Sequence, residues 1–169
     1  MEGLRVLVDG TYDLFSLKQM GILKRLKESG CYVVVGVYSD EEIRKLNLTT
    51  VMTEHERVET LKHSRYVDDI IFPSPYIVNP LFLQENSISL VFGEKIDERY
   101  QLVSENFRLI DKSEGADADE IISRVLDQLD EYCERNYFRG YSYESMGLNT
   151  KEAICMLLRL ARKKELKLE

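Results

Sequence analysis

The chain has 169 residues, which fits one domain with ample length to bury a core. Its formal net charge of -7 argues against nucleic acid as a partner, because phosphate binding needs a concentrated basic face. No secretory signal opens the chain, no apolar run approaches the ~20 residues of a membrane span, and the three scattered cysteines, Cys31, Cys133 and Cys155, read as buried thiols, so a cytoplasmic protein is expected.

The run Val6-Leu7-Val8 predicts a strand that ends at Asp9-Gly10, where Gly10 allows a tight turn. A helical pattern follows over Leu14 to Lys27, with Leu14, Leu17, Gly21, Leu23 and Leu26 on one face and Gly30 as its stop. Cys31 to Tyr38 is a continuous apolar run of strand length, which predicts burial on both faces and hence a parallel sheet. Thr53 or Glu54 opens a helix through Tyr66, Asp69 to Phe72 is a third strand, and Pro73, Pro75 and Asn79-Pro80 break the chain before a short helix near Leu81 to Glu85. Ile88 to Phe92 and Phe107 to Ile110 complete the strands, and Asp119 to Glu134 predicts one long amphipathic helix. The alternation gives an α/β doubly wound sheet, whose ligands sit beyond the carboxyl ends of its strands.

One stretch carries a chemical signature. Asp9-Gly10-Thr11-Tyr12-Asp13-Leu14-Phe15-Ser16-Leu17-Lys18-Gln19 resembles the DGxFDLFHxGH segment of the CTP:phosphocholine cytidylyltransferases. Further matches follow in family order: Ser39-Asp40-Glu41, Val51-Met52-Thr53 with Glu56-Arg57, His63 to Asp69, Lys112-Ser113-Glu114-Gly115 and Arg135 to Tyr141. The resemblance implies a Rossmann-like doubly wound parallel sheet with C-terminal helices. It implies an α/β domain over residues 1–134, and a helical extension over 135–169 packed on that domain or on a partner subunit.

The same resemblance marks where the family's chemistry is missing. Ser16 and Gln19 stand in place of the two histidines that stabilise charge on the triphosphate; both can donate a hydrogen bond and neither carries a charge. Ser16 to Gln19 also reads as an ordinary first helical turn with Ser16 as its cap. Asn47 falls where the family has a lysine bridging the two substrates' phosphates. The triphosphate loop, RTEGIST in the family, becomes Lys112-Ser113-Glu114-Gly115-Ala116-Asp117-Ala118, so that Asp117 and Asp119 place carboxylates at a helix start, where they favour the helix dipole and repel triphosphate.

Other positions survive. Resemblance implies nucleotide contacts from Gly10, Thr11, Tyr12, Lys18, Arg65, Lys112, Ser113 and Gly115, and a phosphocholine pocket from Asp9, Tyr76 and Tyr100. A carboxylate with two aromatic rings suits a quaternary ammonium, although both tyrosines also read as semi-buried core aromatics. No resident metal is expected, and magnesium would enter with CTP. CTP and phosphocholine are the expected ligands if the pocket is retained. The expected protein partner is a second copy, or an active paralogue, with self-association through the surface containing Arg57 to Asp69 and the first strand-helix junction. The basic helix from Thr150 to Lys167 is short and lacks aromatic anchors, so weak or no membrane binding is expected. Three readings remain: a pseudoenzyme acting as a binding or regulatory partner, a working enzyme with Lys18, Lys45, Arg65 and Lys112 as substitute cations, or a nucleotide sensor.

Overall fold

A computed structural model describes residues 3–165. The chain divides into two compact units, Met1–Ala118 and Asp119–Glu169, so the first ends earlier than residue 134.

The first unit is built on five strands: β1 (Arg5–Gly10), β2 (Tyr32–Val37), β3 (Asp69–Ile71), β4 (Leu90–Gly93) and β5 (Phe107–Leu109). All pair in parallel, in the order β3-β2-β1-β4-β5. Leu7 stands opposite Val34 on one side and Val91 on the other. Alternation along the strands divides the core: Val6, Val8, Val33 and Val35 pack with Ile22, Leu23 and Leu26, while Leu7, Val34 and Val91 pack with Leu83, Tyr100 and Phe107. Burying each such aliphatic side chain contributes about 1.5–3 kcal/mol, so both sheet faces must be covered, as the apolar second strand requires.

Four helices flank these strands: α1 (Leu17–Glu28), α2 (Asp40–Lys45), α3 (Glu54–Lys62) and α4 (Pro80–Glu85). Helix α1 starts three residues later than its periodicity predicts. Ser16 caps it, and Tyr12, Leu14 and Phe15 before it take left-handed backbone angles (φ 55°, 53° and 26°) around a 3₁₀ turn at Asp13–Phe15. Helix α3 stops at Lys62 rather than Tyr66, because His63 leaves helical geometry and Ser64 N–H turns back to the Leu61 carbonyl. Helix α2 was not anticipated; among its residues only Ile43 is buried, too little apolar content to show a period.

In the second unit the expected long helix is two, α5 (Ala118–Asp127) and α6 (Leu129–Phe138). Gln128 departs from helical angles (φ -97°, ψ 0°) while its own N–H and C=O keep bonds to Arg124 and Tyr132. Helix α7 (Thr150–Glu165) buries Ala153 and Met156, the latter packed with Cys133 of α6. Ile154, Leu157 and Leu158 are exposed. The buried pair is spaced i, i+3 and so lies on a different stripe of the helix. Cys31 and Cys133 are buried, but Cys155 is exposed. Lys167 lies outside the described residues. No described helix is long and apolar enough to cross a membrane.

Candidate active site

The sheet order reverses between β1 and β4, and a cavity of about 450 Å³ lies at their carboxyl ends. A crevice at such a switch point is where doubly wound sheets hold ligands. Asp9, Gly10 and Tyr12 line it from the β1 turn, Gln19 and Ile22 from α1, and Gly93, Glu94 and Lys95 from the end of β4. Arg99, Tyr100 and Lys112 close it.

The turn after β1 is held from several sides. Tyr12 is buried and its hydroxyl donates to the Val8 carbonyl at 2.9 Å. The buried Asp13 carboxylate accepts the Val51 and Met52 N–H groups at 2.8 and 2.9 Å. Fully buried Arg57 donates to the Thr11 and Tyr38 carbonyls at 2.6 and 2.9 Å and to Asp40 at 2.6 Å. That guanidinium joins the β1 turn to the end of β2 and the start of α2, and it faces inward, so it adds nothing to a surface running from Arg57 to Asp69.

At the start of α1, Ser16 and Gln19 form a capping box. Ser16 Oγ accepts the Gln19 N–H at 3.5 Å, and Gln19 Oε1 accepts the Ser16 N–H at 2.9 Å. Two of the helix's orphan N–H groups are thereby satisfied within the protein. Asn47 has a structural task as well. It follows α2 with φ 55°, its N–H donates to the Arg44 carbonyl at 3.0 Å, and Leu48 N–H reaches the Ile43 carbonyl at 3.1 Å. This is the Schellman pattern, whose left-handed residue is usually Gly and sometimes Asn.

Asp9 sits at the floor of the cavity, nine-tenths buried. Tyr38 and Tyr100 hydroxyls donate to its two oxygens at 2.5 and 2.6 Å. Burial raises its pKa above the usual carboxylate range, against the pull of the two hydroxyls and of Arg99. Burial also pushes both tyrosine hydroxyls up, helped by the Asp9 charge, so they remain donors. The Arg99 guanidinium lies 4.7 Å over the Tyr100 ring and 5.9 Å from that of Tyr76, whose edge meets Tyr38 with centroids 5.8 Å apart. Nε and Nη2 of Arg99 donate to the two oxygens of Asp97, each at 2.9 Å.

Other expected contacts are spread around this centre. Lys18 pairs with Asp117 at 3.3 Å. Lys112 lies at the cavity, 3.9 Å from Glu94. Ser113 packs against Gly21 of α1 so closely that a Cβ at Gly21 would fall 1.8 Å from its Oγ. Gly115 takes φ 122°, which few side chains tolerate, and touches Leu17 at the start of α1. Arg65 is exposed and donates to the Tyr66 hydroxyl at 2.8 Å, away from the cavity-lining residues. Lys45 pairs with Glu41 at 2.8 Å.

Tyr38 and Arg99 escaped the sequence reading. Register offers a signal for Tyr38: Gly10 stands opposite Val37, so the next residue falls at the same sheet end as Asp9. Arg99 is signalled only by Asp97 two residues earlier and Tyr100 beside it.

The family model for cytidylyltransferase-like proteins matches residues 7–125. Choline-phosphate cytidylyltransferase 2 of Arabidopsis thaliana is 32% identical over 162 residues, covering 88% of this chain and 53% of that protein. The choline-phosphate cytidylyltransferase of Saccharomyces cerevisiae is 32% identical over 157 residues, 86% of this chain and 37% of that one. An ethanolamine-phosphate cytidylyltransferase of Dictyostelium discoideum is 30% identical over 150 residues, 83% and 40%. This chain thus spans about half or less of the length of these curated relatives. A solved structure, the lipopolysaccharide core biosynthesis protein from Thermoplasma volcanium, superposes with a TM-score of 0.56 at 22% identity, over 66% of this chain and 98% of its own, a likeness of fold. With the family model matched over most of its length and the parallel sheet in place, the chain belongs to the cytidylyltransferase-like family.

Proposed function

We propose that this protein is a cytidylyltransferase-fold pseudoenzyme: a domain descended from a choline-phosphate cytidylyltransferase that makes no CDP-choline and acts as a binding or regulatory partner in phospholipid synthesis. One observation carries the reading. The residues standing at the histidine positions, Ser16 and Gln19, carry no charge, and Ser16 Oγ and Gln19 Oε1 are engaged in capping α1. The losses extend beyond them. Asn47 ends α2 where a bridging cation would stand, and Lys18 is engaged by Asp117. Transition-state charge on a transferring phosphoryl group needs cations aimed at it, and each such donor is worth about 10² to 10³ in rate.

Substitute cations offer little. Of the four, Lys18, Lys45 and Arg65 have partners elsewhere, and Lys112 alone lines the cavity, with Lys95 as a newcomer. A nucleotide-sensing role is favoured by a different observation: the cavity at the switch point is open and keeps Gly10, Tyr12 and Lys112 on its wall. The partner is a second copy or an active paralogue, in the cytoplasm.

Calorimetric titration with CTP and magnesium tests the reading. Expected is binding weaker than about 1 mM, the level of roughly -4 kcal/mol. Micromolar binding together with pyrophosphate release once phosphocholine is added as the acceptor would overturn the pseudoenzyme and favour the working enzyme, while micromolar binding without release in the presence of phosphocholine would favour the sensor.

A further inference from the structure

A buried carboxylate with tyrosine rings around it is a box for a cation, since ring faces attract positive charge within about 6 Å. Here the chain supplies the cation itself. The guanidinium of Arg99 stands over Tyr100 at 4.7 Å, against Tyr76 at 5.9 Å, and 3.5 Å from the Tyr38 hydroxyl that binds Asp9. It is tied down at its fork: Asp97 accepts both Nε and Nη2, and the same carboxylate accepts the Arg99 backbone N–H at 3.2 Å at the start of the 3₁₀ turn Glu98–Val103. Bidentate charge-assisted bonds of this kind hold a side chain in one place. A trimethylammonium group would need the same ring faces in the field of Asp9, and two cations cannot share them.

We propose that Arg99 is a specificity-determining residue, an internal occupant of the cation box that keeps quaternary-ammonium ligands out of the cavity. The assignment rests on reading this cavity as the substrate site of the family. It makes the loss of phosphocholine recognition separate from the loss of triphosphate chemistry at Ser16, Gln19 and Asn47.

Tetramethylammonium and phosphocholine, titrated without nucleotide into the wild-type protein, Arg99→Gln and Asp97→Asn, test it. Wild type is expected to show no saturable binding up to about 10 mM, and Arg99→Gln to bind both ligands tighter by on the order of tenfold or more. Asp97→Asn keeps the arginine but loosens its fork, and is expected to fall between them; it carries the comparison should Arg99→Gln fail to fold. Saturable binding by wild type equal to that of Arg99→Gln would overturn the assignment. So would a folded Arg99→Gln, checked by near-ultraviolet circular dichroism, that binds no better than wild type. CDP-choline formation by Arg99→Gln with CTP would overturn the pseudoenzyme while leaving Arg99's role standing, whereas failed binding would do the reverse.

Discussion

Gln19 and Ser16 hold each other across the first turn of α1, the amide oxygen of one on the backbone N–H of the other at 2.9 Å. The two positions at which the resemblance would put histidines are therefore occupied by a reciprocal structural bond. Ser16→Ala should destabilise the fold by about 1 kcal/mol, the usual worth of an N-cap, and Gln19→Ala by less. Urea unfolding of both variants measures this. Restoring histidine at both positions should cost stability of the same order and return no turnover.

Asn47 supports a similar expectation. A lysine there would have to adopt φ 55°, so Asn47→Lys should cost about 0.5 to 1 kcal/mol, while Asn47→Gly should be neutral or stabilising. Equal stabilities for the lysine and glycine variants would show that the backbone relaxes at no cost.

Arg57 is the polar centre of the first unit. Removing it with Arg57→Met takes the guanidinium from the buried Tyr38 carbonyl, the half-buried Thr11 carbonyl and Asp40, and should cost about 2 to 4 kcal/mol in urea unfolding. Arg57→Lys should recover only part, since one ammonium cannot reproduce the planar fork.

Asp9 predicts a pH effect with a defined sign. Its folded pKa lies above the unfolded value of 3.8, because burial disfavours the charged form. Between those two pKa values the folded state holds more protons, so this group's contribution to stability falls as pH rises through the window above 3.8 and is recovered on acidification. The partnered carboxylates Asp40 and Asp97, lowered by their arginines, act in the opposite direction. The difference between wild type and Asp9→Asn isolates the effect: relative to the variant, wild type should lose stability from pH 4 to pH 7, as read by denaturant unfolding.

The sheet was legible because its strands are short apolar runs: Val33 to Val37 could only be buried on both faces. Asp9-Gly10, expected to end the first strand in a turn, instead continues β1 in register with Gly36 and Val37, and the chain turns at Tyr12. Cavity-lining residues were legible where the family pattern reached them, as at Asp9 and Tyr100. Ser16 as a cap was readable from residue type alone. Arg99 was not, because its inward position depends on a 3₁₀ turn and on Asp97 gripping its fork, neither of which has a periodicity. The break at Gln128 was hidden for the opposite reason: apolar spacing continues across it through Leu126 and Leu129, and only the backbone changes.

Asp117 and Lys18 lie 3.3 Å apart, so the acidic helix start engages one of the few cations near the turn. Asp117→Ser should free Lys18 and strengthen binding of CTP with magnesium by about 1 kcal/mol, roughly fivefold, in calorimetric titration. Unchanged affinity would mean that Lys18 does not face the nucleotide.

The loss of chemistry itself is tested most directly by incubating purified protein with CTP, phosphocholine and magnesium and measuring CDP-choline. No product above the uncatalysed level is expected if, as proposed, Ser16, Gln19 and Asn47 replace the charged groups of the reaction. Turnover at an ordinary enzymatic rate, roughly 1 s⁻¹ or faster, and abolished by Lys112→Ala, would contradict it and identify a working enzyme with rebuilt phosphate contacts.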